Sequence, residues 1–509
     1  MSDIILATLN AKYIHTAFGL RYLLANMGEL RSKTKLLEFT IQQRPSDIVE
    51  ALLAESPRII GLGVYIWNVS QTQAVVSLLE RVAPEVTIVL GGPEVSHELE
   101  DQDWLSSADF VITGEGDLAF RQLCERLESG RRPLQRVIDG GLPSLDELAL
   151  PYAEYSDHDV AHRIAYVEAS RGCPYRCEFC LSSLDKKVRT FPLERLLAAF
   201  DDLLERGVRH FKFVDRTFNL DLARSVAILE YFLERLRPGL FLHFELVPDR
   251  LPEALREPIA RFPPGVLQFE VGIQSLDDEV GKRISRRQKL DATFDNLRYL
   301  REEAGVHLHT DLIIGLPGEG IESFGRGLDR LVASGVQEVQ VGVLKRLRGT
   351  PISRHSEAFD MVYDAQAPYE IMRNAAITFA DMQRMKRFAL VWDTFWNQGN
   401  FQSSMRALWG DASPFKRTLA FSDWLFEQAG RVHSMSLQNR ARYLLTYCVR
   451  ELGLDRVASA ERLAADYLAA GRKNPGIVEP FSLDASDATA KGPQSTSIPS
   501  RQERHLAGA

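Results

Sequence analysis

Ser170-Arg171-Gly172-Cys173-Pro174-Tyr175-Arg176-Cys177-Glu178-Phe179-Cys180 gathers three of the chain's five cysteines into one short stretch with the spacing C-x3-C-x2-C. Thiolates on one such loop can each meet a different iron of a cubane cluster, and a [4Fe–4S] cluster needs four ligands. Three cysteines leave one iron open to hold a small molecule. Zinc in a structural site takes four protein ligands, and no fourth cysteine or nearby histidine completes that set. Cys173, Cys177 and Cys180 are therefore candidate ligands of an iron–sulfur cluster. Gly172 permits the sharp turn into the loop. Cys124 and Cys448 lie far off within helical patterns and read as buried thiols. Five cysteines in 509 residues make no disulfide framework.

The loop follows a strand pattern at Ala165–Ser170 and opens an alternating region over 161–360. Further strands are expected at His210–Val214, Leu240–Glu245, Gln268–Gly272, His307–Ile313 and Glu338–Val343, with helices such as Leu193–Arg206 and Leu220–Arg235 between them. A full eight-unit barrel needs about 250 residues, so about six strand–helix units predict a partial TIM barrel. Chemistry in such barrels sits just after the strands. That places the cysteine loop, Asp215 and Glu245 at positions of interest.

Upstream, residues 1–125 alternate in the same way. Ile4–Leu9, Lys35–Phe39, Ile59–Tyr65, Val86–Leu90 and Phe110–Thr113 read as buried parallel strands, with helices at Asp47–Glu55 and Thr72–Val82. The pattern predicts an open doubly wound α/β sheet of the Rossmann or flavodoxin-like kind, whose ligands bind outside the carboxyl ends of the strands. Those ends carry Asn10–Thr16, Ile66–Ser70, Gly91-Gly92-Pro93-Glu94 and Thr113-Gly114-Glu115-Gly116. Residues 126–160, rich in glycine and proline, read as a linker. Residues 366–472 are helical and aromatic, an accessory domain in which Trp392, Trp396, Trp409 and Trp424 are expected to pack a core. The tail over 484–509 is small and polar and reads as disordered.

Composition excludes several classes. Apolar residues make up 45% and charged residues 26%, as in globular chains. At about 150 residues per domain, the length predicts roughly three domains. The net charge of -8 gives no support to a broadly cationic nucleic-acid surface. Basic clusters such as Lys186-Lys187, Lys282-Arg283 with Arg286-Arg287 and Lys289, and Lys345-Arg346 with Arg348 read as solvated faces. No signal peptide or membrane-spanning run is legible, so a cytoplasmic protein is expected.

Beyond the cysteine triad, Gly272-Ile273-Gln274-Ser275-Leu276 after the fourth strand, Asp311-Leu312-Ile313-Ile314-Gly315-Leu316-Pro317-Gly318-Glu319 at the fifth and Leu344–Pro351 at the sixth occur in the order seen in the radical SAM superfamily, which the chain resembles. The preceding sheet, with its GGPE loop at 91–94 and its GEGD loop at 114–117, is similar to that of the cobalamin-binding subgroup. The D-x-H-x-x-G motif of base-off, His-on cobalamin enzymes is absent, which implies cobalt without a histidine ligand from the protein. The start Asn10–His15 and the C-terminal region resemble an uncharacterised subfamily with a C-terminal domain of unknown function.

The resemblance implies three cofactors: a [4Fe–4S] cluster, S-adenosylmethionine (SAM) and cobalamin. The open iron would chelate the amino and carboxylate groups of SAM, and one-electron reduction would release a 5′-deoxyadenosyl radical. It places Phe179 near the adenine, Asp215 and Glu245 toward the ribose, the amino group or the substrate, Gln274 and Ser275 on SAM, and Gly315 where the adenine approaches closely. It places Trp67, Asn68, Gly91, Gly92, Gly114, Glu115 and Gly116 around cobalamin. The implied activity is methylation of an unactivated carbon of an unnamed substrate, supplied with electrons by a partner such as flavodoxin or ferredoxin. The alternatives are an oxidative cyclase or ring-rearrangement enzyme, an RNA-modifying enzyme, and a cobalamin or redox sensor without turnover. A methylthiotransferase would carry three further clustered cysteines, which this chain lacks.

Overall fold

In a computed structural model, residues 2–469 are described; the tail over 484–509 lies outside them. They divide into two compact units. The first is built on residues 2–216 with Lys345–Ser353 and Asp364–Glu370; the second on Thr217–Leu344, Arg354–Tyr363 and the chain from Ile371 onward.

The first unit opens with a parallel sheet of six strands, β1 Ile4–Asn10, β2 Thr34–Thr40, β3 Ile59–Gly63, β4 Thr87–Gly91, β5 Phe110–Thr113 and β6 Val137–Asp139, in the order β2-β1-β3-β4-β5-β6. Side chains alternate across a strand, so each strand feeds two cores. Ile5, Ala7 and Leu9 of β1 join Ile60, Leu62, Ile88 and Leu90 in one cluster, with helices α2 (Pro45–Leu53) and α3 (Val69–Val82) supplying Ile48, Leu52, Val75 and Leu79. Ile4 and Leu6 join Val89, Phe110 and Ile112 in the other, under α1 (Phe18–Ala25) and α4 (Ala119–Glu128). Both faces are covered, which is why the strands read as continuous apolar runs. Strand β6 lies inside the segment expected to be a linker: three residues between glycine- and proline-rich stretches carry too little periodicity to be read as a strand.

Two further parallel strands complete this unit's sheets, β7 Ala165–Val167 and, later, β10 His210–Phe213, in register Phe211↔Ala165 and Phe213↔Val167. Between them a short antiparallel pair, β8 Ser170–Arg171 and β9 Arg189–Thr190, closes the base of the cysteine loop. Helix Leu193–Glu205 buries Leu196, Phe200, Leu203 and Leu204, the i, i+4, i+7, i+8 stripe of a core-facing helix.

The second unit carries four parallel strands, β11 Phe241–Leu246, β12 Leu267–Gln274, β13 His307–Ile314 and β14 Glu338–Val343, each paired with the next. Helices alternate with them. Five helices follow, from Phe379–Trp392 to Arg456–Ala469. Trp392 is fully buried, stacks on Trp409 at a centroid distance of 5.7 Å, and donates its indole N–H to the Val339 carbonyl of β14 at 2.9 Å. Trp396 and Trp409 are buried beside it. Among the described residues, no helix is long and apolar enough to cross a membrane.

Candidate functional site

The order β2-β1-β3 reverses direction at β1/β3, and open α/β sheets bind ligands at such a switch point. Here the first unit holds a cavity of about 240 Å³. It is lined by Gly61–Gly63 of β3 and Tyr65 after it, by Gly91 at the end of β4 and Gly92 after it, and by Gly114, Glu115, Gly116 and Asp117 after β5; Leu20, Phe120 and Arg171 close it. A Cβ built on Gly63, Gly91 or Gly116 would meet only ordinary contacts, at 3.4 Å or more. Protein packing therefore does not demand glycine there; what glycine preserves is the open space. Gly92 differs, because its φ of 113° and the Val64 carbonyl 2.5 Å from a Cβ demand glycine for the backbone itself.

The cobalamin residues read from sequence divide into two groups. Gly91, Gly92, Gly114, Glu115 and Gly116 line the cavity. Asn68 does not: it is fully buried, its Oδ1 accepts the Tyr65 N–H at 2.8 Å, and its Nδ2 donates toward Thr8 Oγ1, the Leu9 carbonyl and the Gly63 carbonyl at 3.0–3.1 Å. The reason is local: the ends of β1 and β3 leave carbonyls that an amide satisfies. Asn68 thus holds the switch point together instead of facing a ligand. Trp67 is 45% exposed and stacks on Tyr65 at 4.5 Å.

The cysteine loop leaves β8 through Gly172, whose φ is 91° and whose Cβ would stand 2.4 Å from the Lys187 carbonyl. Cys173 and Cys177 are buried, Cys180 and Phe179 are half-buried, and none of the cysteines is in a disulfide. The Cys173 N–H donates to the Asp185 carbonyl at 2.8 Å, tying the loop's first cysteine to its far arm. Among the described residues, no group of three His, Cys, Asp or Glu side chains is placed to hold a metal ion. Three soft thiolates on one loop suit a cluster, where each meets its own iron.

Asp215, expected on SAM, sits just past β10 and turns its carboxylate to the strand before the cysteines, accepting from the Ala169 N–H at 2.9 Å and from the Ser170 hydroxyl. Burial pushes its carboxyl up, against those hydrogen bonds. Its geometry is that of a fastener for the loop. Sequence reading missed Arg171 and Glu168, just before the loop. Arg171 pairs with Glu115 at 2.9 Å, with Asp117 at 3.0 Å and with Glu168 at 3.0 Å. Burial opposes its charge, but Glu168 and Asp117 overcome this and hold it protonated. Burial raises the Glu168 carboxyl to about 7, with Arg171 pulling the other way.

In the second unit, Glu245 ends β11 in register with Glu270 of β12. Gln274 ends β12 at an irregularity in register, with a φ of 72°, and its Nε2 lies 2.6 Å from where a Cβ on Gly272 would stand. The Ser275 hydroxyl donates to Glu319 at 2.6 Å. Glu319 is only 3% exposed, its second oxygen has no partner, and burial raises its carboxyl to about 7. Gly315 has a φ of 89°, and a Cβ there would meet Ile371 at 2.6 Å and Met382 at 3.2 Å.

Comparison with known proteins now decides the assignment. Residues 4–124 match the B12 binding domain, residues 167–331 the Radical SAM superfamily, and residues 357–491 a domain of unknown function, DUF4080. The chain carries a B12 binding domain followed by a radical SAM domain. The cofactors of these domains are SAM and cobalamin, and the glycine-lined cavity and the cysteine loop lie within the matched segments.

An uncharacterised methyltransferase of Pyrococcus horikoshii is 27% identical over 59% of this chain and 70% of its own length. The cobalamin-dependent radical SAM methyltransferase TokK of Streptomyces tokunonensis is 27% identical over 58% of this chain and 47% of its own. The chain thus spans about half the length of TokK. Among solved structures, the fold is similar to the radical SAM methyltransferase TsrM of Kitasatospora setae (TM-score 0.56, 17% identity, 69% of this chain and 77% of that one). It is also similar to the cobalamin-dependent radical enzyme OxsB (TM-score 0.61, 16% identity, 93% of this chain and 81% of that one).

Proposed function

We propose that this radical SAM enzyme is a cobalamin-dependent methyltransferase that moves the methyl group of SAM to a carbon of its substrate. The observation that carries the reading is the placement of Arg171: its side chain closes the glycine-lined cavity, and its backbone stands two residues before Cys173. One short strand thus serves both cofactor regions. The methyltransferase relatives support the transfer.

Bound together, the cluster, SAM and cobalamin supply one-electron cleavage of SAM and a methyl carrier. The chain's residues supply the setting. Cys173, Cys177 and Cys180 hold the cluster, on a loop fixed by Gly172 and Asp215. Phe179, half-buried one residue before Cys180, would meet the adenine of SAM. Within the second unit, Glu245 and Gln274 would offer polar groups to SAM, as would Ser275, whose hydroxyl donates to Glu319. The glycine-lined cavity would hold part of the corrinoid, and exposed Trp67 follows Tyr65 of its wall by two residues. A one-electron donor of the flavodoxin or ferredoxin class supplies electrons.

The test is anaerobic incubation of the reconstituted full chain with SAM, cobalamin and a low-potential reductant, followed by quantitation of 5′-deoxyadenosine and S-adenosylhomocysteine. Formation of both supports the reading. 5′-Deoxyadenosine formed without any cobalamin-dependent S-adenosylhomocysteine contradicts methyl transfer, and absence of both contradicts SAM chemistry.

A further inference from the structure

Glu115 does not present a free carboxylate to the cavity it lines. Its Oε2 accepts from Arg171 at 2.9 Å, and its Oε1 accepts from Arg189. These arginines face each other across the β8/β9 pair, in register Arg171↔Arg189. Arg189 reaches on to the Asp185 carboxylate at 3.1 Å, and the Asp185 carbonyl holds the Cys173 N–H at 2.8 Å. Arg171 also forks onto both oxygens of Asp117, at 3.0 and 3.1 Å. An unbroken run of polar contacts therefore leads from the cavity wall to the first cysteine. Gly172 lies against the Lys187 carbonyl, where an added Cβ would stand 2.4 Å away, so the two arms of the loop touch.

We propose that the Glu115–Arg171–Arg189–Asp185 network couples the cavity to the cysteine loop, so that a corrinoid in the cavity and a cluster on the loop each tighten the binding of the other. This rests on the cofactor reading above. Arg171 and Arg189 act as positioning residues. The ion pairs are already formed and only partly exposed, with side-chain exposures of 12–20% for the two arginines and Glu115. A ligand filling the cavity removes the remaining water from Glu115, and attraction between paired charges strengthens as the local dielectric falls. The loop arm carrying Asp185 is then held more firmly, and with it Cys173. Linkage makes the effect reciprocal.

The experiment compares hydroxocobalamin affinity in the full chain with its cluster reconstituted and in the same chain freed of iron, by anaerobic equilibrium dialysis. The expected result is tighter binding with the cluster present, by roughly 5- to 150-fold, the usual range of coupling between two sites. The converse readout is slower loss of iron to a chelator when hydroxocobalamin is bound. Glu115→Gln and Arg189→Gln should each bring the affinity ratio toward one, and Arg189→Lys, which keeps the charge but not the fork, should restore part of it. Equal affinity in the two forms of the natural sequence overturns the proposal without any variant. A ratio that persists in both glutamine variants, with melting temperatures intact, overturns the network as its carrier. Absence of binding in either form removes the cofactor reading itself, and the proposal with it.

Discussion

Asn68 and Trp67 are neighbours in sequence with opposite fates, and substitution separates them. Asn68→Ala strips three buried acceptors and one buried N–H of a shared partner. An unsatisfied buried polar group costs about 1–3 kcal/mol, so a fall in melting temperature is expected, with a smaller effect for the half-exposed Trp67→Ala. Equal, negligible shifts would show that the switch point does not depend on the amide. Glu319 gives a pH signature. Burial raises its carboxyl to about 7 from an ordinary 4.5; nearby Asp277 raises it further, and the Ser275 hydroxyl lowers it. The folded chain thus binds more protons than the unfolded one between those values, so stability falls as pH rises from 4.5 to about 7. Glu319→Gln removes that term. Its unfolding free energy relative to the natural sequence should rise between pH 5 and pH 8, by on the order of 3 kcal/mol at most. A difference independent of pH would place the ionisation elsewhere.

Among the elements, the turn after β13 is the most constrained. Gly315→Ala adds a Cβ 2.6 Å from Ile371 on a backbone with φ of 89°, where L residues lose roughly 1–2 kcal/mol before any clash is counted. A clear drop in thermal stability is expected, and an unchanged melting curve would contradict the packing described. Element by element, the sequence was legible where periodicity was long. The strands β1–β5 and β11–β14 were placed within a few residues because each feeds one or two cores. Strand β6 was not, since Val137–Asp139 has only three residues and no buried one. The glycine loops were legible as cavity walls because the space beside Gly63, Gly91 and Gly116 stays open only without side chains. The ion pairs of Arg171 were not, because Glu115 and Asp117 lie more than fifty residues away and no local pattern connects them. The same holds for Glu94, which is buried under Arg348 at 2.9 Å and Tyr369, more than 250 residues further on. For Asp215 and Asn68, sequence position identified residues near a site, and only side-chain direction revealed that each serves the backbone.

At the scale of the whole chain, the cysteine loop and the glycine-lined cavity form two separate regions proposed for cofactors. Replacing Cys173, Cys177 and Cys180 together by alanine should abolish reconstituted iron while leaving the cavity, whose walls come mainly from β3, β4 and β5, able to bind a corrinoid more weakly. Iron retained at full stoichiometry in that variant would remove the cluster from this loop. The central claim is that both cofactors reside on the chain, and one anaerobic measurement addresses it. The full chain is reconstituted with iron, sulfide and hydroxocobalamin, desalted, and analysed for visible absorbance, iron and cobalt. The account predicts cluster absorbance with corrinoid bands, about four irons and about one cobalt per chain. Iron without retained cobalt would contradict it, reducing the N-terminal sheet to a scaffold for radical chemistry that does not use cobalamin.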